Sequence, residues 1–351
     1  MELTAIDPTA DAWDAFLTSS PRGQFQQMSG WARVKALDGW SMAREYMEPT
    51  DPFSGGFQLL WKRAGPARIG YVSKGPVVAD ESTPALDSVI RRIAFTARRL
   101  ALSALIVQPP DDSAISVQQL RRHGYFSEPM ASVIGTTGIV DLSGGREAVA
   151  GRMSRSVRKE WRSAGRGGVS LRWGSQDELP RFFQLMEASC RRQRTRPNPS
   201  RPELLAALWT AFPERVLLAF AEREGRARAG LLMIRQGRTI VFWKKGWDSE
   251  IPSFSVNEFL LAECLAWAAE SGCEEADVVS MSPDVAAAFV LGSGLDERQR
   301  RSRDVFSLRF GARPKPLPPA QLLVVSPVTR PLVYAALRRP RLRRLLERSI
   351  G

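Results

Sequence analysis

The chain has 351 residues, 44% of them hydrophobic, which is enough apolar chain for about two globular domains with a core each. Fifty lysines and arginines against 37 acids leave a net charge of +13, which favours a phosphate-rich partner, although an arginine-rich background composition supplies part of the excess. Three cysteines without C-x-x-C spacing and a single histidine point away from a metal centre and fit a reduced, cytoplasmic protein.

The acidic start MELTAIDPTADAW lacks the apolar core of a signal peptide, and no apolar run approaches the roughly 20 residues needed to span a bilayer. A helix is expected from near Asp11, then the strand-like segments FQLLWKR and ARIGYV, a helix over 85–103, the strand SALIVQPP, and a short helix in QQLRRHGYF. His123 sits just before a turn in that last segment, so a surface or packing role is expected of it. The weakly structured GTTGIVDLSGGREA, near residues 135–148, reads as the seam between two halves.

Beyond the seam, GRMSRSVRKEWRSAGRGGV combines six basic residues with a helical apolar stripe of Met153, Val157, Trp161 and Ala164. Ser154 is its expected N-cap, and Arg155, Arg158, Lys159, Arg162 and Arg166 form a cationic stripe on another face. The helix FFQLMEASCRR follows, then the strands RVLLAFAE, RAGLLMIRQ and TIVFWKKGW, a helix over 256–271, the strand EEADVVSM, and the short helix AAAFVLGSGL. Each half thus places antiparallel-looking strands before a long helix, then a strand, then a short helix. In the C-terminal VYAALRRPRLRRLLERSIG, arginines alternate with leucines around Pro340, so a weak contact with an anionic membrane surface is expected there.

The repeated order is similar to the GNAT acyltransferase fold written twice. The expectation is an α+β protein with mixed central sheets flanked by helices: domain 1 over residues 1–145, domain 2 over 146–316, and the tail 317–351 returning to domain 1. Several segments, in order, resemble the Fem family of aminoacyltransferases. These are GQFQQMSGWARVKALDGW with its Phe-Gln pair, Trp31 and Lys35; YVSKGPVVAD; the basic helix running into Gly168-Val169; NEFLLAECLAWAAESGCEEADV; and VFSLRFGARP. No sustained heptads suggest the long coiled-coil arm of some Fem members, so the chain resembles the shorter, armless form. The resemblance implies transfer of an amino acid from aminoacyl-tRNA to an amino-bearing acceptor, either a peptidoglycan precursor or a small secondary metabolite.

An aminoacyl ester is already activated, so its aminolysis asks for orientation and oxyanion stabilisation more than for a covalent nucleophile. The sequence fits by omission: it offers no G-x-S-x-G elbow, no Cys-His pair and no metal cluster, and no cofactor is expected. By the resemblance, Lys35, beside Trp31, contacts acceptor phosphates, and Arg192 completes the clamp, with Arg191, Arg194 and Arg196 as alternatives. The basic helix is expected to hold the tRNA. The closing motif departs from the family pattern: Phe306 is followed by Ser307 where the family has lysine, so Arg309, Arg303 or another cation substitutes, or the substrates differ. The rival readings are an acyl-CoA-dependent GNAT enzyme and a non-catalytic basic binding protein. Residues 162–167, RSAGRG, match the CoA phosphate loop, but a helix before and a strand after give that loop the wrong polarity.

Overall fold

The structure is a computed structural model that describes residues 10–47, 54–65, 67–127, 134–248, 255–300, 302–328 and 330–331. In chain order the elements are α1 (Ala10–Ser19), α2 (Ser29–Ala36), β1 (Ser41–Met47), β2 (Gly55–Ala64), β3 (Ala67–Ser73), β4 (Val77–Val78), α3 (Thr83–Arg99), β5 (Ala104–Gln108), α4 (Val117–Arg122) and β6 (Phe126–Ser127). They continue with β7 (Thr136–Asp141), α5 (Gly145–Arg152), α6 (Arg155–Arg166), β8 (Ser170–Gly174), α7 (Leu179–Gln193), α8 (Pro202–Ala211), β9 (Val216–Arg223), β10 (Arg226–Gln236) and β11 (Thr239–Trp247). The last are α9 (Val256–Glu270), β12 (Glu275–Ser280), α10 (Pro283–Leu291), α11 (Glu297–Arg300), α12 (Arg303–Arg309), β13 (Arg313–Pro316) and β14 (Gln321–Val324). The chain divides into two compact units, residues 1–135 with 317–351, and residues 136–316.

In unit 1 the sheet runs β1-β2-β3-β5-β14-β6, with β4 paired to β2. The strands β1, β2 and β3 are antiparallel, and α3 then carries the chain across to β5, which lies parallel to β3 from Ile69/Ala104 to Ser73/Gln108. Apolar residues at helical spacing make α3 bury one face: Leu86, Val89, Ile90, Ile93 and Ala97 pack with Phe57, Leu59, Val72 and Leu105 of the strands. The helix begins with Pro84 in its first turn, where a missing N–H costs nothing. β5 is buried along its whole length, as a central parallel strand should be.

Unit 2 repeats the order. Its sheet runs β13-β7-β12-β11-β10-β9-β8, with α9 crossing from β11 to the parallel β12. α9 is apolar on nearly every face and buries Leu260, Leu261, Cys264, Leu265 and Ala268 in the unit's core, together with Met153, Val157 and Ala164 of the α6 region. Mixed sheets and flanking helices are therefore present in both units.

Two expectations change. The segment expected as a loose seam contains β7, which lies between β12 and β13 with Thr136 and Thr137 buried, and the division falls before it, at Gly135/Thr136. Its glycines and threonines suggested a loop, but pairing on both sides overrides that local preference. The basic segment 333–351 lies outside the described residues. Among the described residues, no helix is long and apolar enough to cross a membrane.

Candidate functional site

In unit 2 the two parallel strands part. β11 is in register with β12 only from Thr239/Glu275 to Val241/Asp277, and then continues to Trp247 beside β10. Gly246 lets this stretch lie against α7, because a Cβ there would sit 2.3 Å from the backbone nitrogen of Met186. The neighbouring Lys245 is exposed, and its Nζ lies 4.2 Å from the centroid of the Phe306 ring. Phe306 packs in turn on the fully buried Phe310, ring centroids 5.0 Å apart.

Glu258 stands in the first turn of α9, half-buried. Burial lifts its carboxyl above the usual carboxylate range, and the charge of Glu160 pushes the same way. Arg309 and Lys245 pull it down. Glu160 itself is gripped by Arg309, Nη2 to Oε2 2.6 Å, and the same guanidinium donates to Ser156 Oγ at 3.3 Å. Arg309 also accepts from the Ser154 backbone N–H through its carbonyl, so the closing motif and the start of α6 form one structure. Arg309 is thus fixed as a tie between α12 and α6. Ser307 is half-buried in α12, and the side chain of Arg303 lies outside the described residues.

The helix α6 has its expected start: Ser154 Oγ accepts from the Val157 N–H at 3.3 Å. Met153, Val157 and Ala164 are buried, and Trp161 donates its Nε1–H to Glu263 at 2.9 Å while Arg146 lies over its ring. On the open side, Arg155, Lys159, Arg162 and Arg166 are exposed and make no ion pair among the described residues. Arg158 is corrected out of this stripe. Its Nη1 donates to the carbonyls of Ala150, Gly151 and Met153 at 3.4, 3.1 and 2.9 Å, so it caps the end of α5 instead of facing a partner.

The expected acceptor residues fall in both units. In unit 1, Lys35 of α2 is mostly buried, with Nζ 5.8 Å from the Trp31 ring, 5.4 Å from Trp40 and 3.9 Å from Asp38. Lys62 of β2 approaches Trp40 to 4.5 Å. Burial lowers the pKa of both lysines, Asp38 opposes the effect, and Lys62 adds to it at Lys35. The Trp40 Nε1–H, also buried, has no hydrogen-bond partner. Lys62 and Trp40 were not singled out in the sequence, where the only signal was a second tryptophan closing the Lys35 segment.

In unit 2, Arg192 at the end of α7 stacks on Trp247 at 4.2 Å and donates to the Trp247 carbonyl at 2.9 Å. Arg191 instead lines a cleft of about 760 Å³ with Arg181, Arg226, Arg228 and Asp248, while Arg194 and Arg196 are exposed beyond the helix. In that cleft Arg172 is held between Glu178 and Glu222 at 2.6 and 2.7 Å. His123 has a packing role, with Nε2 3.0 Å from Asp87. No cluster suited to a metal ion occurs among the described residues.

Residues 151–282 match the family described as acetyltransferase (GNAT) domain. The chain is 26% identical over 196 residues to the lipid II:glycine glycyltransferase of Staphylococcus saprophyticus, covering 51% of this chain and 46% of that protein. It is 25% identical over 186 residues to the protein of the same name from Staphylococcus aureus strain MRSA252, covering 50% and 44%. The matched region spans less than half of these relatives' own length. Among solved structures, FemX superposes with a TM-score of 0.78 at 17% identity, over 96% of this chain and 100% of that one. A tandem GNAT protein from the clavulanic acid biosynthesis pathway gives 0.55 at 11% identity, over 92% and 96%.

Proposed function

We propose that this Fem-like chain of tandem GNAT fold is an aminoacyltransferase that takes an amino acid from aminoacyl-tRNA and joins it by an amide bond to an amino group of a peptidoglycan precursor. The observation that carries the donor is α6. Its four exposed cations run from Arg155 to Arg166, about 16 Å at the helical rise, while the opposite face is fixed in the core. That length suits successive phosphates of a nucleic-acid backbone better than one compact pyrophosphate. Phosphate contacts position a nucleic acid without reading its sequence, so α6 supplies affinity and register, and amino-acid choice lies elsewhere.

The acyl-CoA reading has less support. A pyrophosphate loop uses the N–H groups that open a helix, whereas the glycines at 165–168 close α6 and lead into β8. For the acceptor, the glycyltransferase relatives favour a peptidoglycan precursor, lipid II being their named substrate. Ser307, which departs from the family pattern, keeps an amino-bearing secondary metabolite as the alternative. Lys35 is the residue proposed to meet acceptor phosphates, and Arg192 and Arg191 are further candidates.

The test is a transfer assay with purified protein, lipid II or its nucleotide-linked precursor, and either total tRNA charged with labelled amino acids or acetyl-CoA, with ribonuclease added to half the samples. Label should enter the acceptor from charged tRNA and disappear with ribonuclease, and its identity names the amino acid. Product that forms from acetyl-CoA and survives ribonuclease would sink the tRNA reading.

A further inference from the structure

The long helix of unit 1 has an outer face that the fold does not use. While α3 buries Leu86, Val89, Ile90, Ile93 and Ala97, it leaves Arg91, Phe95 and Arg98 exposed at spacings of four and three, one stripe along the helix. Beside its first half lies α4, held by Gln119 and His123, which meet the Asp87 carboxylate at 2.9 and 3.0 Å. The last turn of α4 adds Arg121 and Arg122, both exposed. The two helices carry no acid besides Asp87. Arg91, Arg98, Arg121 and Arg122 make no ion pair among the described residues. Arg92 and Arg99 differ: both reach Glu45 of the edge strand β1, at 2.9 and 2.6 Å, and so tie α3 to the sheet. The helix dipole favours cations in a last turn, which accounts for Arg98, Arg121 and Arg122 one at a time. It does not account for Arg91 in the middle of α3, or for a phenylalanine left 52% exposed between arginines.

We propose that the outer face of α3 and α4 docks unit 1 on an anionic lipid bilayer, with Arg91, Arg98, Arg121 and Arg122 meeting headgroup phosphates and the Phe95 ring entering the interface. The charge selects a polyanion, and the ring selects a bilayer over a nucleic acid. A bilayer interface takes an aromatic ring between the headgroups that the arginines hold. A nucleic acid would use the ring by stacking a base on it, and the Arg92 guanidinium, fixed by Glu45, already stands over that ring at 5.7 Å from its centroid. Attraction of this kind fades within a Debye length, so the docking is reversible and sensitive to salt. It does not depend on the aminoacyl-transfer reading. Under that reading it brings the chain to the surface at which a lipid-linked acceptor is presented.

The test is sedimentation of the full chain with vesicles of phosphatidylcholine alone, and of phosphatidylcholine and phosphatidylglycerol in equal parts, with no tRNA or acceptor present. The variants are Arg91→Gln, Arg98→Gln, Arg121→Gln and Arg122→Gln combined; Phe95→Ser; and, as a control for net charge, the four exposed cations of α6 changed together to Gln. Melting temperature and tRNA affinity are measured alongside. The wild type should sediment with the mixed vesicles and not with phosphatidylcholine. The α3/α4 variant should lose on the order of 10²-fold in vesicle affinity, and the α6 variant, which removes the same charge, less than about threefold. Phe95→Ser changes an exposed side chain and leaves the core intact; it should weaken vesicle binding by about threefold or more without altering its salt dependence. Equal losses in the two fourfold variants would reduce the effect to net charge and overturn the proposal, as would a wild type that stays in solution beside the mixed vesicles. An α3/α4 variant that keeps its vesicle affinity and loses tRNA would give this face to the nucleic acid instead. Failure of the transfer assay leaves the docking standing, because vesicle binding is read without substrates.

Discussion

A buried ammonium is a cost to a fold, and Lys35 carries that cost beside two tryptophan rings and a second lysine. Because burial lowers its pKa, the unfolded chain binds more protons than the folded one between the lowered value and the ordinary lysine value of 10.5. Stability associated with Lys35 and Lys62 should therefore rise with pH through that window, the reverse of what a well-paired lysine gives. An anion seated between them would remove the penalty by raising both pKa values. Lys35→Met should accordingly hold or raise the melting temperature at pH 7 and flatten its alkaline rise, while raising the acceptor KM about tenfold or more. A fall in melting temperature with unchanged KM would mark Lys35 as a structural residue. At the closing motif, Ser307→Ala should leave turnover within a few-fold of wild type. A large loss in a folded variant would place its hydroxyl at the oxyanion instead. Lys35 and Ser307 could be picked out because each occupies a recognisable place in a motif.

At the scale of one element, α6 separates what spacing reveals from what it hides. The apolar residues at intervals of four, four and three were enough to predict its buried face, and Ser154 its start, since both depend on local geometry alone. Which cations stay open was not legible. Arg158 is turned back onto α5 because α5 ends at Arg152 with carbonyls that need donors, and no spacing rule within α6 contains that information. The two groups should separate in experiment. Changing Arg155, Lys159, Arg162 and Arg166 together to Gln should weaken tRNA binding and reduce the slope of log affinity against log salt by up to about three or four, while the melting temperature stays near wild type. Arg158→Ala should do the opposite, lowering stability on the order of 1 kcal/mol by stripping the α5 carbonyls of their donor, with little change in the salt slope. Equal salt slopes for the fourfold variant and the wild type would return α6 to an ordinary solvated face.

Across the whole chain, the order of strands and helices in each half could be read from apolar runs and turn residues, whereas the closure of each sheet could not. Both sheets set an antiparallel strand from a distant part of the sequence beside the strand that follows the crossover: β7 beside β12 in unit 2, and β14 beside β5 in unit 1. β14 is four residues long and comes after the proline-rich stretch 314–319, so nothing local announces a central strand. Yet it fills the place between β5 and β6, with Gln321, Leu322 and Leu323 buried and Ser127 donating to the Gln321 side chain at 3.1 Å. Gln108, buried at the end of β5, ties the same region by donating to the carbonyls of Ile134 and Pro318 at 2.9 and 3.3 Å. Unit 1 is therefore incomplete without residues that follow unit 2 in the sequence. Leu322→Ala and Leu323→Ala should each destabilise unit 1 by about 2–4 kcal/mol. Ending the chain at Pro316 should go further, leaving one edge of β5 unpaired, so that those amides of Ala104–Val107 that point to β14 and not to β3 lose their hydrogen-exchange protection. The amides of β9 and β10 in unit 2 should keep theirs, because their ladder partners and the α9 packing all lie within 136–316. Undiminished protection of β5 in the shortened chain would mean that β14 is an accessory strand and that unit 1 closes its sheet without it.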